Sequence, residues 1–400
     1  MSAPDADGGA PGRGLIFLLG SIAAISPLAM SIHIQSIPAI AGDLATSYAS
    51  VQLTVSLFLF TFALAQFFVG PLSDRLGRRP VLFGGLAIFA AAGFAAALAP
   101  SIEILLAARV VQAVGGCASL VTPRAVVQDR YRGVEAARIM TFVAMLQSSA
   151  PIVAPAIGGS IDGIIGWRGI FAFMGAYAIA VGVSAAVWLR ESRPSEGGRP
   201  AGWFTILARY RALLGSRRYI AYTCIFSFGT TGYFGFLATG PAVMIGDQGL
   251  LAWQFSIMLA TISVQFVVGG YAASRFVVRF GVDRVLFVGA ILQLVAVAGF
   301  WMVAHDAEPV AVTLSFCLYA FSNGFVFANS LAGATSIDPR IAGSAASFMG
   351  ALQFLVGGVI ALLLAELPTA NFGYLPLVLA VLATGTCAAA IVVRGSSPYR

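Results

Sequence analysis

From residue 14 to residue 394 the chain is a succession of apolar runs separated by short connections that hold its charges. A run of about 20 such residues crosses a bilayer as one α-helix, whose backbone groups satisfy one another where no water is available. No other feature narrows the possible folds as far, and it makes the chain a helical integral membrane protein. Spans are predicted at 14–37, 49–71, 80–99, 102–124, 138–161 and 167–189, then at 219–245, 252–275, 284–304, 309–331, 343–366 and 374–394. Charged residues are 10% of the chain, against about a quarter in a soluble domain.

All 23 basic residues are arginine. Without lysine there is no Walker A loop and no Schiff base, so energy for active work must come from another subunit or a gradient. With the N-terminus inside, the connections 72–79, 125–137, 190–218, 276–283 and 332–342, the tails and the adjoining span ends hold every arginine except Arg109 and Arg168. The opposite connections hold Asp43, Asp306 and Glu308. This is the positive-inside pattern, and it places both termini in the cytoplasm. The net charge of +7 is then an orientation signal, with no nucleic acid implied. Cys117, Cys224, Cys317 and Cys387 lie far apart inside apolar runs without metal or redox spacing, and read as small apolar fillers. No metal and no cofactor is expected.

Residues 1–13 read as a short disordered tail, and the first apolar run is too long for a cleavable signal. Residues 14–189 form a first six-helix half, 190–218 a linker, 219–394 a second six-helix half and 395–400 a tail. In the linker, Trp203, Phe204, Ile206, Leu207, Tyr210, Leu213 and Leu214 recur at helical spacing with arginines between them, which predicts a helix lying on the inner surface. Six spans on each side of a linker suggest the internal repeat common in secondary transporters.

Between spans two and three stands GPLSDRLGRRP, residues 70–80. Gly70 lets helices approach closely, and Asp74 can meet a helix N-terminus. Arg75, Arg78 and Arg79 can pair with that acid and with lipid phosphates, or simply set orientation. The order of residues resembles motif A of the major facilitator superfamily. That resemblance implies a cytoplasmic gate built from Gly70, Asp74, Arg75, Gly77, Arg78 and Arg79, which latches the two halves. A degenerate copy, Gly270, Ser274 and Arg275, has lost the acid and implies a weak second latch. RVVQAVGG (109–116) looks like motif B, whose arginine serves proton coupling. APIVAPAIGG (150–159), with Pro151, Pro155, Gly158 and Gly159, is similar to the antiporter motif C. WRGIF (167–171) and IAGSAASFMGALQ (341–353) resemble the Bcr/CflA drug-efflux subfamily. Together these imply an all-α membrane protein of twelve transmembrane helices in two pseudo-symmetric halves, exchanging drugs for protons across the bacterial cytoplasmic membrane.

Arg109 is the charged residue deepest inside a predicted span. A central arginine costs about 2.5–3.5 kcal/mol on insertion scales, so it needs a wet cavity or a polar partner, unless it snorkels to the outer surface. Gln112 shares its face at helical spacing and favours a cavity stripe. On span two, Gln66 reads as interhelical glue. Tyr233 among the phenylalanines of span seven, Asn323 and Asn329 of span ten, and Gln353 of span eleven complete a wall suited to drug-sized amphiphiles.

The resemblance implies an aspartate in span one shortly after a proline, with a tyrosine two residues later. Here Pro27 is followed by Ser31 and His33 at those places, so the usual carboxylate proton carrier is missing. At 100° per residue, Ser31 and Gln35 fall about 40° apart and His33 roughly opposite. Ser31 and Gln35 are therefore assigned to the cavity. His33 is assigned to helix packing, with a titratable carrier as its second role. The expected function is an exporter of drug-like or amphiphilic small molecules, neutral or anionic, working by alternating access as a monomer in the lipid bilayer with protons as coupling ion. A sugar or other small-metabolite carrier of the same fold, with or without protons, is the alternative. No catalytic cluster points to an enzyme.

Overall fold

The computed structural model describes residues 13–131, 133–192, 210–337, 342–365 and 372–395. Eleven helices among them are long and apolar enough to cross a membrane. One, Gly133–Trp188, holds 56 residues, about 84 Å at 1.5 Å per residue and far longer than one crossing. It breaks at Gly166, whose φ of 75° is open to glycine but costly for other residues. It is therefore two spans, and the described chain has twelve.

Span one is Arg13–Ser31, carried on by a 3-10 turn at Ile34–Ser36 and a short helix at Ile37–Asp43. Spans two to four are Tyr48–Leu76, Arg78–Ala97 and Ile102–Arg130; spans five and six are 133–165 and 167–188. Span seven is Arg217–Pro241 with a π-helical extension, Ala242–Asp247. Spans eight to twelve are Ala252–Phe280, Val282–Val303, Pro309–Thr335, Ala342–Ala365 and Leu375–Gly395. Of the expected linker helix, Trp203, Phe204, Ile206 and Leu207 lie outside the described residues. Its end, 210–214, is helical, with Leu213 buried and Tyr210 packed on Phe348 at 5.2 Å between ring centroids.

The helix pairing repeats itself with a shift of six. Span one packs on four, five and six, span three on four and six, and span two on four. Likewise seven packs on ten, eleven and twelve, nine on ten and twelve, and eight on ten. The starts of spans three and nine match too, each preceded by a glycine of positive φ, Gly77 at 104° and Gly281 at 77°. Glycine also sets the crossing of spans three and four. A Cβ on Gly115 would stand 2.6 Å from both the Gly85 carbonyl and the Phe89 amide, so only bare backbone permits that approach.

The halves meet chiefly through two pairs, span two with eleven and span five with eight, with smaller contacts from the turn after span one to spans seven and eight. One continuous apolar core joins the first half to the part of the second half that includes Phe236, Val243, Phe255 and Phe372. That is the end opposite the arginine-rich connections. At the arginine-rich end the second half has a separate core around Tyr219, Tyr222, Met349 and Val393. The bundle is sealed at one end, and its halves have independent cores at the other.

Candidate functional site

A cavity of about 330 Å³ lies between the halves. Its wall divides chemically along the boundary between them. The first half supplies Ser31, Gln66, Arg124 and Gln147 as polar groups, with aliphatic side chains such as Leu120 and Val143 around them. The second half supplies every aromatic ring: Phe226, Tyr233, Phe234, Phe266, Phe327 and Phe354. Thr230, Ser263, Asn323 and Gln353 stand among those rings. Among the described residues, no aspartate or glutamate lines the cavity.

Of the residues the sequence assigned to this wall, Ser31, Tyr233, Asn323 and Gln353 stand on it. Ser31 Oγ turns back to the Pro27 carbonyl at 3.1 Å, and Tyr233 Oη lies 3.5 Å from Ser263 Oγ. Asn323 Oδ1 is buried without a hydrogen-bond partner among the described residues, a polar atom with capacity to spare. Gln35 is not on the wall. The α-helix of span one ends at Ser31, so the angular reckoning of 100° per residue does not carry across the turn to Gln35. Its side chain instead donates to the Ile32 carbonyl at 2.7 Å, beside Gly158. Asn329 is also off the wall and donates to Phe325 O one turn back, at 2.8 Å.

Arg109 and Gln112 correct the sequence reading most. Arg109 is only 1% exposed and lies behind span one, away from the cavity. Its Nη2 donates to the Ala29 carbonyl at 3.1 Å, its Nε to the Thr54 carbonyl at 3.3 Å and its Nη1 to Gln112 Oε1 at 2.7 Å. The end of the helix at Ser31 leaves the Ala29 carbonyl without its intrahelical donor, and the guanidinium takes that place. The Phe58 ring covers it at 4.2 Å, and Phe171 lies at 5.8 Å. The arginine thus ties spans one, two and four together and neither snorkels nor faces the cavity. His33 joins the same cluster: Nε2 lies 3.0 Å from Thr54 Oγ1, and its ring is 5.4 Å from Phe171.

Sequence reasoning missed Arg124 and Gln147 and gave Gln66 to helix packing. Arg124 sits at the end of an apolar run, where an arginine looks like an orientation signal. The available signal was helical spacing: Leu120 with Arg124, and Met140, Val143 and Gln147, form inward stripes at three and four residues.

The residues at 70–80 form a tight cluster. Arg78 pairs with Asp74, with Asp129 at 2.8 Å and with Ser73 Oγ at 3.2 Å. Past Gly77, the first two amides of span three, on Arg78 and Arg79, donate to the two oxygens of Glu191 at 2.9 and 3.0 Å. A carboxylate there meets both the unpaired N–H groups and the positive end of the helix. Asp74, Ser73 and Asp129 belong to the first half and Glu191 to the start of the linker that follows it, and Arg75 follows Asp74 at the same helix end. Gly70, expected to allow close approach, faces open space: a Cβ there meets nothing within 4 Å. In the second copy, Ser274 bonds the Tyr271 carbonyl at 2.7 Å and Arg275 the Tyr271 hydroxyl at 2.6 Å, both within span eight.

At the sealed end, Gly158 presses against the backbone of Ile32, and a Cβ on Gly159 would lie 3.1 Å from Ser256 Oγ on span eight. Pro155 is buried in the same helix; the side chain of Pro151 lies outside the described ones. Asp43 pairs with Arg168 and accepts from Trp167 Nε1 at 3.1 Å, pinning the end of span one to the start of span six.

Residues 19–362 match the family model of the Major Facilitator Superfamily. The chain belongs to the major facilitator superfamily. Among its relatives, the chloramphenicol resistance protein of Pseudomonas aeruginosa is 32% identical over 68% of this chain and 64% of that protein's own length. The multidrug resistance protein D of Escherichia coli K12 is 29% identical over 92% of each chain. Both names agree with the resemblance to the Bcr/CflA drug-efflux subfamily. A bacterial homologue of the human lysosomal transporter Spinster, solved inward-facing and occupied, aligns with a TM-score of 0.72 over 97% of this chain and 96% of that one. At 16% identity it shares the fold alone. The transporter thus has the two-half architecture that its internal repeat implied.

Proposed function

We propose that this transporter exports drug-like or amphiphilic small molecules by alternating access in the bacterial cytoplasmic membrane, as a monomer with both termini in the cytoplasm. The observation that carries the reading is the cavity between the halves, walled by aromatic rings on one side and carboxamides on both. Such a surface suits amphiphiles of drug size. The names of the relatives favour efflux, and the antiporter resemblance of residues 150–159 favours protons as coupling ion. The arginine distribution supports the cytoplasmic assignment of the open end. Among the described residues no carboxylate stands on the wall, which argues against lipophilic cations and for neutral or anionic cargo. The test is resistance to a drug panel in a pump-deficient host, comparing wild type with a wedge in the cavity, Thr230→Trp, at matched expression. Protection by wild type that the wedge abolishes is expected. Absence of protection against every compound overturns the drug-export reading. The four carboxamides Gln66, Gln147, Asn323 and Gln353 also suit hydroxyl groups, and competition by sugars would favour a metabolite carrier.

A further inference from the structure

Several arginines of this protein are held by identified partners. Arg78 pairs with Asp74 and Asp129, Arg168 with Asp43, Arg218 with Asp283, and Arg109 holds backbone carbonyls. Arg124 differs. It is half-buried and lines the cavity, and its one hydrogen bond among the described residues runs from Nη2 to Gln147 Oε1 at 3.4 Å. That is a long, weak bond. A guanidinium has five N–H donors, carries its charge at every physiological pH, and presents a planar fork that matches an oxyanion bidentately.

We propose that Arg124, with Gln147 beside it, is an anion subsite, and that the cavity takes amphiphiles bearing one oxyanion group (a carboxylate, sulfonate or phosphate) on an aromatic or otherwise apolar body. The proposal rests on the exporter reading above and names its substrate class. The charge comes from span four and the carboxamide beside it from span five, both in the first half, whereas the described rings that would hold the body, Phe226, Phe234 and Phe354 among them, all come from the second. A cargo with both features touches both halves at once. A neutral apolar compound engages the second half and leaves the guanidinium without its partner. A cation meets Arg124 and no carboxylate. The Gln147 carboxamide accepts from Arg124 through Oε1, and its N–H groups, which have no partner among the described residues, can donate to the same oxyanion.

The same chemistry is offered by a dissolved acid and by an anionic phospholipid entering from the bilayer, so the test separates them. The transporter is placed in nanodiscs of phosphatidylcholine, and its binding of anilinonaphthalene sulfonate is compared with that of phenylnaphthylamine, which has the same rings without the anion; protein-free discs set the background. Wild type is expected to bind the sulfonate at least about tenfold more tightly. Arg124→Gln is expected to weaken sulfonate binding roughly tenfold to a hundredfold, with little change for the neutral probe. Arg124→Lys restores part of the loss. Gln147→Glu sets a carboxylate against Arg124 and is expected to abolish the preference for the anion, which gives a second route if Arg124→Gln does not fold. Equal affinity of wild type for both probes overturns the subsite, as does an Arg124→Gln loss that is alike for both. If phosphatidylglycerol added to the discs displaces the sulfonate, the subsite belongs to a lipid headgroup and its assignment to cargo is overturned. Anion binding as expected without release of the dye from loaded vesicles sinks the exporter reading and leaves the subsite standing.

Discussion

Gly159 gives a sharp test of how the sealed end works. An ideal Cβ at this position lies 3.1 Å from Ser256 Oγ across the boundary between the halves. That is a few tenths of an ångström inside ordinary contact, so Gly159→Ala requires a small shift of span eight and should still transport. Gly159→Leu adds three more carbons to a contact that has no room for them. Overpacking of this kind costs about 1–3 kcal/mol. The cost falls only on the conformation in which the two ends touch, and vanishes when they part. The equilibrium should therefore move about 5–150-fold toward the state open at this end. The assay is labelling of Thr230→Cys by a membrane-impermeant maleimide in intact cells, in a background without the four native cysteines. Thr230 lines the cavity and is reached from outside only when the sealed end opens. The expected result is unchanged labelling for the alanine variant and at least about fivefold faster labelling for the leucine variant. Equal labelling of all three proteins would refute the view that this glycine contact seals the cavity.

Arg109→Ala removes donors from the Ala29 and Thr54 carbonyls and leaves a hole beneath Phe58; a loss of about 2–5 kcal/mol is expected, read as a lower Tm in detergent, and an unchanged Tm contradicts its role as a tie between spans. The Gly229 carbonyl accepts from both Gln293 Nε2 at 2.7 Å and Tyr319 Oη at 2.9 Å. Tyr319→Phe or Gln293→Leu alone should each cost about 1 kcal/mol or less in denaturation of the purified protein, while the pair should cost more than the sum, because the two side chains share one acceptor and either can make up part of the loss of the other. Glu191→Ala uncaps the first amides of span three and should cost about 1 kcal/mol, measured by denaturation of the purified protein, with Glu191→Gln recovering part of it.

The spans were legible because a bilayer demands runs of fixed length, a requirement written residue by residue. The repeat of two halves was legible for the same reason. The break at Gly166 falls in the gap, 162–166, that the apolar pattern leaves between spans five and six. The site was less legible, and the causes are local. The change from α to 3-10 geometry after Ser31 shifts the phase of the helix, so Gln35 left the wall on which Ser31 remained. That same helix end exposed the Ala29 carbonyl, and a buried arginine that hydropathy would send to a wet cavity found its partner in backbone. Arg124 was invisible for the opposite reason. An arginine that ends a span satisfies the orientation rule whether or not it also faces a ligand.

The divided wall has an electrical consequence. An exporter that held a fixed negative charge against a cationic cargo would have to work against the inside-negative voltage of a bacterial cell. A cavity whose described charge is the single Arg124 works with it if its cargo is the monoanion proposed above. Moving one negative charge outward gains about 2.3 kcal/mol for every 100 mV. At about 1.4 kcal/mol per tenfold, that sustains a roughly fiftyfold concentration ratio. The voltage would then add to the pull of an exchanged proton in a protein whose first span lacks the usual carboxylate carrier. Export would be electrogenic, and clamping the membrane to zero voltage would lower accumulation even with a pH gradient in place.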